Sequence, residues 1–307
     1  EAYQQIEKDL LDAVLYAPDN TPGNKTLFSK SVARTLLAKI YAEKPLRDYT
    51  KVIQYCDEVK ADGFDLVDDF SDLFGMNAAG TDAKMRNTKE SILEAQFTSG
   101  AGNWCTWMFG RDLVNWNNNF TWAKWVTPSR DLISAFKQEG DEVRFKESIV
   151  YYDCNWSNYY PSDNYPFMYK CRSANSSIIK YRYADVLLLK AEALIMQDTP
   201  DLEGAADIID EVRDRAKLGA LPTSVRSNKN VLLNALLKER RLELAFEGQR
   251  WFDLVRLDKV EEVMNAVYAK DSGRKAQIYT FDKNSYRLPI PQSVIDANDK
   301  IHQNPGY

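Results

Sequence analysis

The sequence predicts a mainly α-helical protein with a loop-rich region in the middle of the chain. Two segments, residues 32–62 and 183–217, each read as a helix, a short break at a proline and a second helix. A third segment, residues 231–257, places apolar side chains at helical spacing among charged ones, and it is predicted to form one helix that packs against residues 183–217. Between the first two segments this spacing stops and short strand-like runs replace it. The order predicts helical hairpins on either side of loops and short β-strands.

The two proline-broken segments are distant copies of one plan. In the first copy, an Ala- and Leu-rich helix from Val32 to Ala42 is separated by Pro45 from a helix that ends near Val59. In the second copy, one face of the second helix is apolar at Ala205, Ile208, Ile209, Val212 and Ala216. Paired antiparallel helices of about 34 residues are typical of tetratricopeptide-type units. We therefore predict tetratricopeptide-like helical hairpins at both places.

Three short elements are predicted between the copies. Residues 90–97 and 146–152 have the composition of strands. Residues 127–136 are predicted to form a helix, with Thr127 as its N-terminal cap and Pro128 at its first position. The rest of the region has no helical or strand periodicity and is predicted to be loops.

Composition excludes several classes of function. The chain has 307 residues and a net charge of −5, which argues against nucleic acid as a partner because phosphate binding needs a basic surface. The single histidine, His302, leaves no zinc motif that needs two or three histidines, and the four cysteines show no C-x-x-C spacing. No cofactor or metal is therefore predicted. Cys154 and Cys171 flank one loop-rich stretch, and the sequence leaves open whether they pair.

The predicted loops are rich in aromatic and amide side chains. Five of the seven tryptophans lie in the first loop segment, residues 98–125, and Trp156 lies near three tyrosines in the second, residues 153–176. Sugar rings bind to flat aromatic platforms beside hydrogen-bonding groups. The alternative is that these rings anchor the loops to the helical core, because large aromatics are usually well buried. The candidate glycan contacts are Trp104, Trp107, Trp116, Asn117, Trp156, Tyr159 and Tyr160.

Three carboxylates recur every four residues in the third segment, at Glu239, Glu243 and Glu247. Two carboxylates at such spacing could serve a glycosidase, which places them about 5–10 Å apart. The interleaved arginines favour structural ion pairs instead, because they should lower the pKa of each carboxylate where a general acid needs a raised one. The predicted structural charge network comprises Arg182, Asp185, Glu192, Glu239, Glu243, Glu247 and Arg250.

Three long motifs occur in a recognisable order. They are Arg-Tyr-Ala-Asp-Val-Leu-Leu-Leu-Lys-Ala-Glu-Ala-Leu at 182–194, Glu-Arg-Arg-Leu-Glu-Leu-Ala-Phe-Glu-Gly-Gln-Arg-Trp-Phe-Asp-Leu-Val-Arg at 239–256, and Leu-Pro-Ile-Pro at 288–291 followed by a terminal Asn-Pro-Gly-Tyr. With these motifs the chain resembles the SusD/RagB-like nutrient-binding proteins of Bacteroidota. The resemblance covers roughly the whole chain and is weakest over residues 98–170.

The resemblance implies a function and a location. It implies a SusD-like superhelix in a lipid-anchored protein at the outer face of the outer membrane. Such a protein captures an oligosaccharide or polysaccharide and delivers it to a SusC-like TonB-dependent transporter, without catalysis or a cofactor. An oligopeptide-capturing member of the same family is the alternative, and a glycoside hydrolase is less favoured.

The resemblance also implies a domain organisation. We expect residues 1–307 to form a single SusD-like domain that is incomplete at its N-terminus, with the lipid anchor on the missing part. Its sub-regions are a helical repeat at 1–62, the loop-rich aromatic region at 63–179, and the second repeat with the C-terminal motif at 180–307. The apolar face of the first helix, formed by Tyr3, Ile6, Leu10 and Val14, is expected to be covered by missing helices or by another molecule.

Overall fold

The computed structural model of the protein describes residues 1–98, 102–103, 127–154, 157–270 and 280–307. These residues form two compact units, Glu1–Gly248 and Gln249–Tyr307. Whether the chain is a single domain stays a prediction. In the described ranges, no helix is both long and apolar enough to cross a bilayer.

The helices of the first unit follow the predicted order and confirm the mainly helical fold. They are α1 (Ala2–Tyr16), α2 (Lys30–Ala42), α3 (Tyr49–Ala61), α4 (Ser71–Phe74), α5 (Arg130–Glu139), α6 (Glu142–Ser148), α7 (Tyr183–Met196), α8 (Leu202–Arg215), α9 (Thr223–Arg226) and α10 (Lys229–Glu243).

Both predicted hairpins are present. Helices α2 and α3 form the first and pack on each other across a short 3-10 turn, while α7 and α8 form the second. The second helix of each pair is capped by an aspartate, Asp48 in α3 and Asp201 in α8, whose side chain accepts from a backbone N–H in the first turn. Helix α7 also packs against α2 and α3, so the two hairpins share one core.

Helix α10 packs against the second hairpin, as predicted, but the expected continuous helix over 231–257 is wrong. Helix α10 ends at Glu243, and the next helix begins only at Arg250. Between them Phe246 and Gly248 have positive φ values of 66° and 77°, in the left-handed region that an α-helix cannot include. Glu247 therefore lies in a turn and not on the helical face of Glu239 and Glu243.

Four strands form two small antiparallel sheets within the described residues. Strand β1 (Ser91–Ala95) pairs with β4 (Ile178–Arg182), and β2 (Ile149–Tyr152) pairs with β3 (Tyr165–Met168). Strand β4 runs directly into α7, which places Arg182 at the junction of sheet and helix. The β2–β3 sheet lies beside α5 and α6 and supports the loop that carries the tyrosines.

Two predicted boundaries are corrected in this region. Strand β2 begins at Ile149 and not at residue 146, because residues 142–148 form α6. Helix α5 begins at Arg130, and its cap is Ser129, whose hydroxyl accepts from the Leu132 N–H at 3.1 Å, and not Thr127. The Thr127 hydroxyl instead hydrogen-bonds the Tyr165 hydroxyl at 3.1 Å.

Helix α1 has its predicted apolar face. Leu10 is buried, Tyr3 and Val14 are half-buried, and Ile6 is 43% exposed. Helix α2 packs against this helix. The expectation that further segments or another molecule complete the cover stays a prediction.

The second unit contains α11 (Arg250–Arg256), α12 (Val260–Lys270), a 3-10 turn (Lys283–Tyr286) and α13 (Gln292–Asp296). Side-chain to backbone hydrogen bonds hold its C-terminal motif. The Gln303 side-chain amide accepts from the Ile290 N–H at 2.8 Å and donates to the Ile290 carbonyl at 2.9 Å. The Tyr307 hydroxyl donates to the Arg287 carbonyl at 2.9 Å. These bonds give the motif a fixed local conformation without regular secondary structure.

Candidate functional site

An open groove of about 470 Å³ lies between helix α5, strand β2 and the loop that follows the tyrosine pair. Helix α5 contributes one face, because residues at i, i+4, i+7 and i+8 point the same way. The groove is lined by Arg130, Ile133, Ser134, Lys137, Gln138, Tyr151, Tyr160, Pro161 and Asn164. Its wall therefore combines two aromatic rings with amide, hydroxyl and cationic groups.

The two predicted tyrosines form a braced pair at one end of this groove. The rings of Tyr159 and Tyr160 meet edge to face with centroids 5.0 Å apart. The Arg130 guanidinium lies 3.9 Å from the Tyr159 ring centre and 4.7 Å from that of Tyr160. Arg130 also donates to the Tyr159 carbonyl, and the Tyr160 hydroxyl donates to the Pro128 carbonyl at 2.7 Å. Both rings are half-buried, so they combine support from the core with an accessible edge.

A buried layer of aromatics supports the pair from below. Tyr165 is buried and contacts the Tyr160 ring edge to face at 5.6 Å and the Phe167 ring at 5.3 Å. With Cys154 these side chains form a small apolar cluster. Tyr165 thus acts as a loop anchor, while Tyr160 lines the groove.

Sequence reasoning missed Tyr151 as a site residue. It lies on β2, lines the groove, and is half-buried, which raises the pKa of its hydroxyl. The sequence could have indicated this role, because Tyr151 and Tyr152 are neighbours in the predicted strand and therefore point to its opposite faces. What the sequence lacked was the position of α5 beside that strand.

The other candidate glycan contacts, Trp104, Trp107, Trp116, Asn117 and Trp156, lie outside the described residues. Their role stays a prediction. Asn103, next to the first of them, is buried, and its amide donates to the Cys171 sulfur at 3.0 Å and the Ser176 carbonyl at 2.9 Å. That amide is therefore engaged in holding the loop.

The centre of the charge network is Glu243. Its carboxylate is fully buried and accepts from Arg182 at 2.5 Å, Arg144 at 3.1 Å and Arg215. Burial alone would raise the pKa of Glu243, but the facing guanidinium groups of Arg215, Arg182 and Arg144 hold it well below its usual range. The network joins α10 to α6, α8 and the β4–α7 junction.

Glu90 and Glu247 extend the network on either side of Arg182. Arg182 donates to Glu90 at 2.7 Å and to both oxygens of Glu247 at 2.7 and 2.8 Å. Lys170 donates to Glu247 at 2.6 Å, and its burial lowers the pKa of the ammonium to about 8. Arg215 donates to Glu90 at 2.5 Å. The sequence analysis did not predict that Glu90, Lys170 and Arg215 belong to the network. For Arg215 the sequence did hold an indication, because this charged residue follows Val212 by three positions on the apolar face of α8.

The other predicted network residues lie in different places. Asp185 belongs to a separate cluster, in which it accepts from Lys39 at 2.6 Å and Arg240 at 2.7 Å. Glu192 is fully buried on α7. Arg250 begins α11 in the second unit and is half-buried.

The carboxylate stripe does not offer a glycosidase site. Burial raises the pKa of Glu239 although Arg144 opposes it, so the expectation that the arginines lower every pKa in the stripe is wrong for this residue. Raised and lowered pKa values on neighbouring carboxylates would suit general acid chemistry. However, Glu239 is 2% exposed and Glu243 is 0% exposed, so no sugar can reach them.

The described cysteines are not joined. Cys56, Cys154 and Cys171 are buried thiols and form no disulfide with one another. In the same described ranges, no three side chains of the metal-binding types come together.

The two hairpins pack on each other and are joined by a long connection that carries loops and short strands. This combination defines a tetratricopeptide-like superhelix of the SusD class. The resemblance to the SusD/RagB family is supported by a family model, by SusD-like relatives and by solved SusD-like structures. The sequence model of the SusD family matches residues 163–307. That match includes the 182–194, 239–256 and 288–291 motifs.

Two relatives come from Formosa agariphila. SusD-like protein P38 is 43% identical over 99 residues, which cover 30% of this chain and 19% of the relative. SusD-like protein P2 is 36% identical over 143 residues, which cover 44% of this chain and 27% of the relative. The matched segments thus span about a quarter or less of the length of these relatives.

Solved structures show the same fold over nearly the whole chain. A laminarin-binding SusD-like protein is 26% identical with a TM-score of 0.71, covering 99% of this chain and 68% of its own. Surface glycan-binding protein A from Bacteroides thetaiotaomicron, solved in complex with laminarihexaose, is 19% identical with a TM-score of 0.76, covering 98% of this chain and 70% of its own. At that identity the second likeness shows the fold alone.

Proposed function

We propose that this chain is part of a cell-surface protein that captures a nutrient glycan and delivers it to a TonB-dependent outer-membrane transporter. The observation that carries the proposal is the open groove at Tyr151 and Tyr160. It sets aromatic rings beside the amides of Gln138 and Asn164 and the hydroxyl of Ser134. Aromatic faces with converging polar groups are what a sugar chain needs for stacking and hydrogen bonding. The laminarin-binding relative supports the choice of glycan over peptide.

The proposed mechanism is capture and release without chemistry. The braced tyrosine pair is held before any ligand arrives, so little conformational entropy is lost on binding. The loops between the repeats are also where a shared scaffold would vary its recognition surface. Lipid anchoring and hand-over to a SusC-like transporter are further parts of the proposal, tested by co-purification of the two proteins from outer membranes.

The groove is tested by replacing its rings one at a time. Tyr151→Ala should weaken glycan binding by about 1–3 kcal/mol, by analogy with the loss of a stacked ring from single-strand nucleic-acid sites. Tyr152→Ala is the matched control, because Tyr152 is the next residue of β2 and is not part of the groove lining. Isothermal titration against a panel of neutral and acidic oligosaccharides measures both. Equal affinities for both variants and the unmodified chain would place the glycan elsewhere.

The wider aromatic set has its own test. A variant with all six candidate rings replaced by alanine should lose retardation in a glycan affinity gel while its helical circular dichroism is retained. Those rings are Trp104, Trp107, Trp116, Trp156, Tyr159 and Tyr160. Retardation that persists would assign these rings to loop anchoring. A parallel screen with a peptide pool tests the oligopeptide alternative.

A further inference from the structure

We infer that Ser134 and Gln138 form a subsite for a free hydroxyl group of a neutral oligosaccharide. The inference rests on the proposed glycan function, and it adds the chemical group that the groove recognises. Both residues line the groove from helix α5, in which they are about one turn apart. They therefore lie next to each other on the helical face that also carries Arg130.

A hydrogen bond joins these two side chains. The Gln138 amide nitrogen donates to the Ser134 hydroxyl oxygen at 3.0 Å. Among the residues that the structure describes, no second hydrogen bond is found for either side chain. Gln138 is exposed and Ser134 is half-buried, so a ligand in the groove can reach their remaining polar atoms.

The hydrogen bond decides what the pair can offer to a ligand. Because the Ser134 oxygen accepts from Gln138, the serine hydrogen remains to donate and the Gln138 carbonyl oxygen remains to accept. Turning the amide over would exchange these roles and leave an amide hydrogen beside a lone pair of the serine oxygen. In both arrangements the pair presents one donor next to one acceptor.

A sugar hydroxyl is a group that satisfies both of these atoms. It accepts one hydrogen bond and donates another, so it can pair with the donor and the acceptor together. A methyl ether or an ester has no hydrogen to donate, and a carboxylate or sulfate oxygen only accepts. Each of these groups would leave the acceptor of the pair without a partner, which is unfavourable. The pair therefore selects an unsubstituted and uncharged position of a sugar.

The position of the pair along the groove indicates that the ligand is a chain of sugars. Arg130 lies against the rings of Tyr159 and Tyr160 at one end of the groove. Ser134 and Gln138 are one and two turns further along α5, about 6 and 12 Å away at the helical rise of 1.5 Å per residue. When one sugar stacks on Tyr160, a neighbouring sugar of the same chain would therefore meet the hydroxyl subsite.

The test compares neutral hexaoses with their methyl ethers by isothermal titration. Laminarihexaose, cellohexaose and mannohexaose are titrated first. Each hexaose that binds is then titrated again in the form in which all of its hydroxyls have been converted to methyl ethers. The unmodified chain should bind at least one free hexaose, and it should bind this hexaose roughly tenfold or more tightly than the methyl ether.

Variants of the pair connect this preference to the two residues. Gln138→Leu removes the polar atoms of the side chain at similar size, so it should weaken binding of the free hexaose roughly three- to tenfold and reduce the preference over the methyl ether. Ser134→Ala should have the same effect, and the double variant should lose less than the two single losses combined, because the side chains act together. Gln54→Leu is the matched control. Gln54 is exposed, donates to Glu58 one turn later on α3 at 2.9 Å, and lies outside the groove lining.

The possible failures are distinct. If the hydrogen bond serves only the stability of α5, Gln138→Leu will leave the affinity and the preference as they are in Gln54→Leu, and the inference is wrong. Equal affinity of the unmodified chain for a hexaose and its methyl ether would also overturn it. If only acidic oligosaccharides bind, the inference is wrong and the proposed function stands. If no glycan binds, the inference and the proposed function both fail, and a peptide pool that binds would favour the oligopeptide alternative.

Discussion

Replacing Glu243 by glutamine tests whether the buried charge network holds the fold together. Glu243 is completely buried and faces the guanidinium groups of Arg144, Arg182 and Arg215. Glutamine has nearly the same volume, so the change removes a charge without opening a cavity. What remains is an excess of positive charge in a place that water cannot reach.

The expected loss of stability depends on how many carboxylate partners each arginine keeps in the variant. Hydrogen bonds to charged groups contribute about 1.5–3 kcal/mol each, so three lost partners would suggest a very large effect. However, each arginine keeps another carboxylate, Glu90 or Glu239. The loss should therefore be close to that of one broken buried ion pair, about 3–5 kcal/mol in the free energy of unfolding.

Urea unfolding followed by far-ultraviolet circular dichroism measures this loss directly. The control is Asp12→Asn on α1, which removes the 4.0 Å pair with Lys8 in which the side chains are 56% and 73% exposed. An exposed pair of this kind contributes less than about 1 kcal/mol. If Glu243→Gln costs no more than the control, the network does not stabilise the fold and the reasoning is refuted.

Three further outcomes are expected. The pKa values of Glu243 and Glu247, lowered by their arginine and lysine partners despite burial, lie below the ordinary 4.5, so the native state binds fewer protons than the unfolded chain. The stability that these two carboxylates contribute should be complete above about pH 4.5 and be lost as the pH falls. Urea titrations between pH 7 and 3 would detect this loss. Over the same pH range, Glu243→Gln should lose less stability than the unmodified chain. Burial raises the pKa of the Cys56 thiol, so iodoacetamide should leave Cys56 unmodified until urea is added, as peptide mass spectrometry would show; rapid native labelling would contradict its burial. Gly306→Ala should destabilise the C-terminal motif by about 1 kcal/mol or more, because φ is +94° and the added Cβ would lie 2.6 Å from that of Asn284; an unchanged melting temperature would refute this.

The sequence by itself determined the hairpins and the class of fold. Helical periodicity, a proline break and an aspartate cap are local signals that need no information from elsewhere in the chain. For the same reason both hairpins appear where residues 32–62 and 183–217 predicted them. The order of the three motifs was enough to indicate the family.

Local signals failed where a distant contact decided the conformation. The predicted helix over 231–257 breaks after Glu243, and the turn brings Glu247 to Arg182, 65 residues earlier, and to Lys170. Helical propensity across the break gives no sign of that pairing. The ion pairs are available only once the turn and the β4–α7 junction lie side by side.

The sequence placed Arg182 in the charge network with Glu243 and Glu247, but only the tertiary structure could identify the other partners and the lining of the groove. Glu243 and Arg144 are 99 residues apart in sequence, and Tyr160 bonds the Pro128 carbonyl 32 residues before it. The sequence showed that buried carboxylates would need cations and that the loops were rich in rings. Which cation met which carboxylate, and which ring faced a groove, depended on the packing of α5 against α10 and the β2–β3 sheet, because a side chain's surroundings in the fold are set by elements far away in the chain.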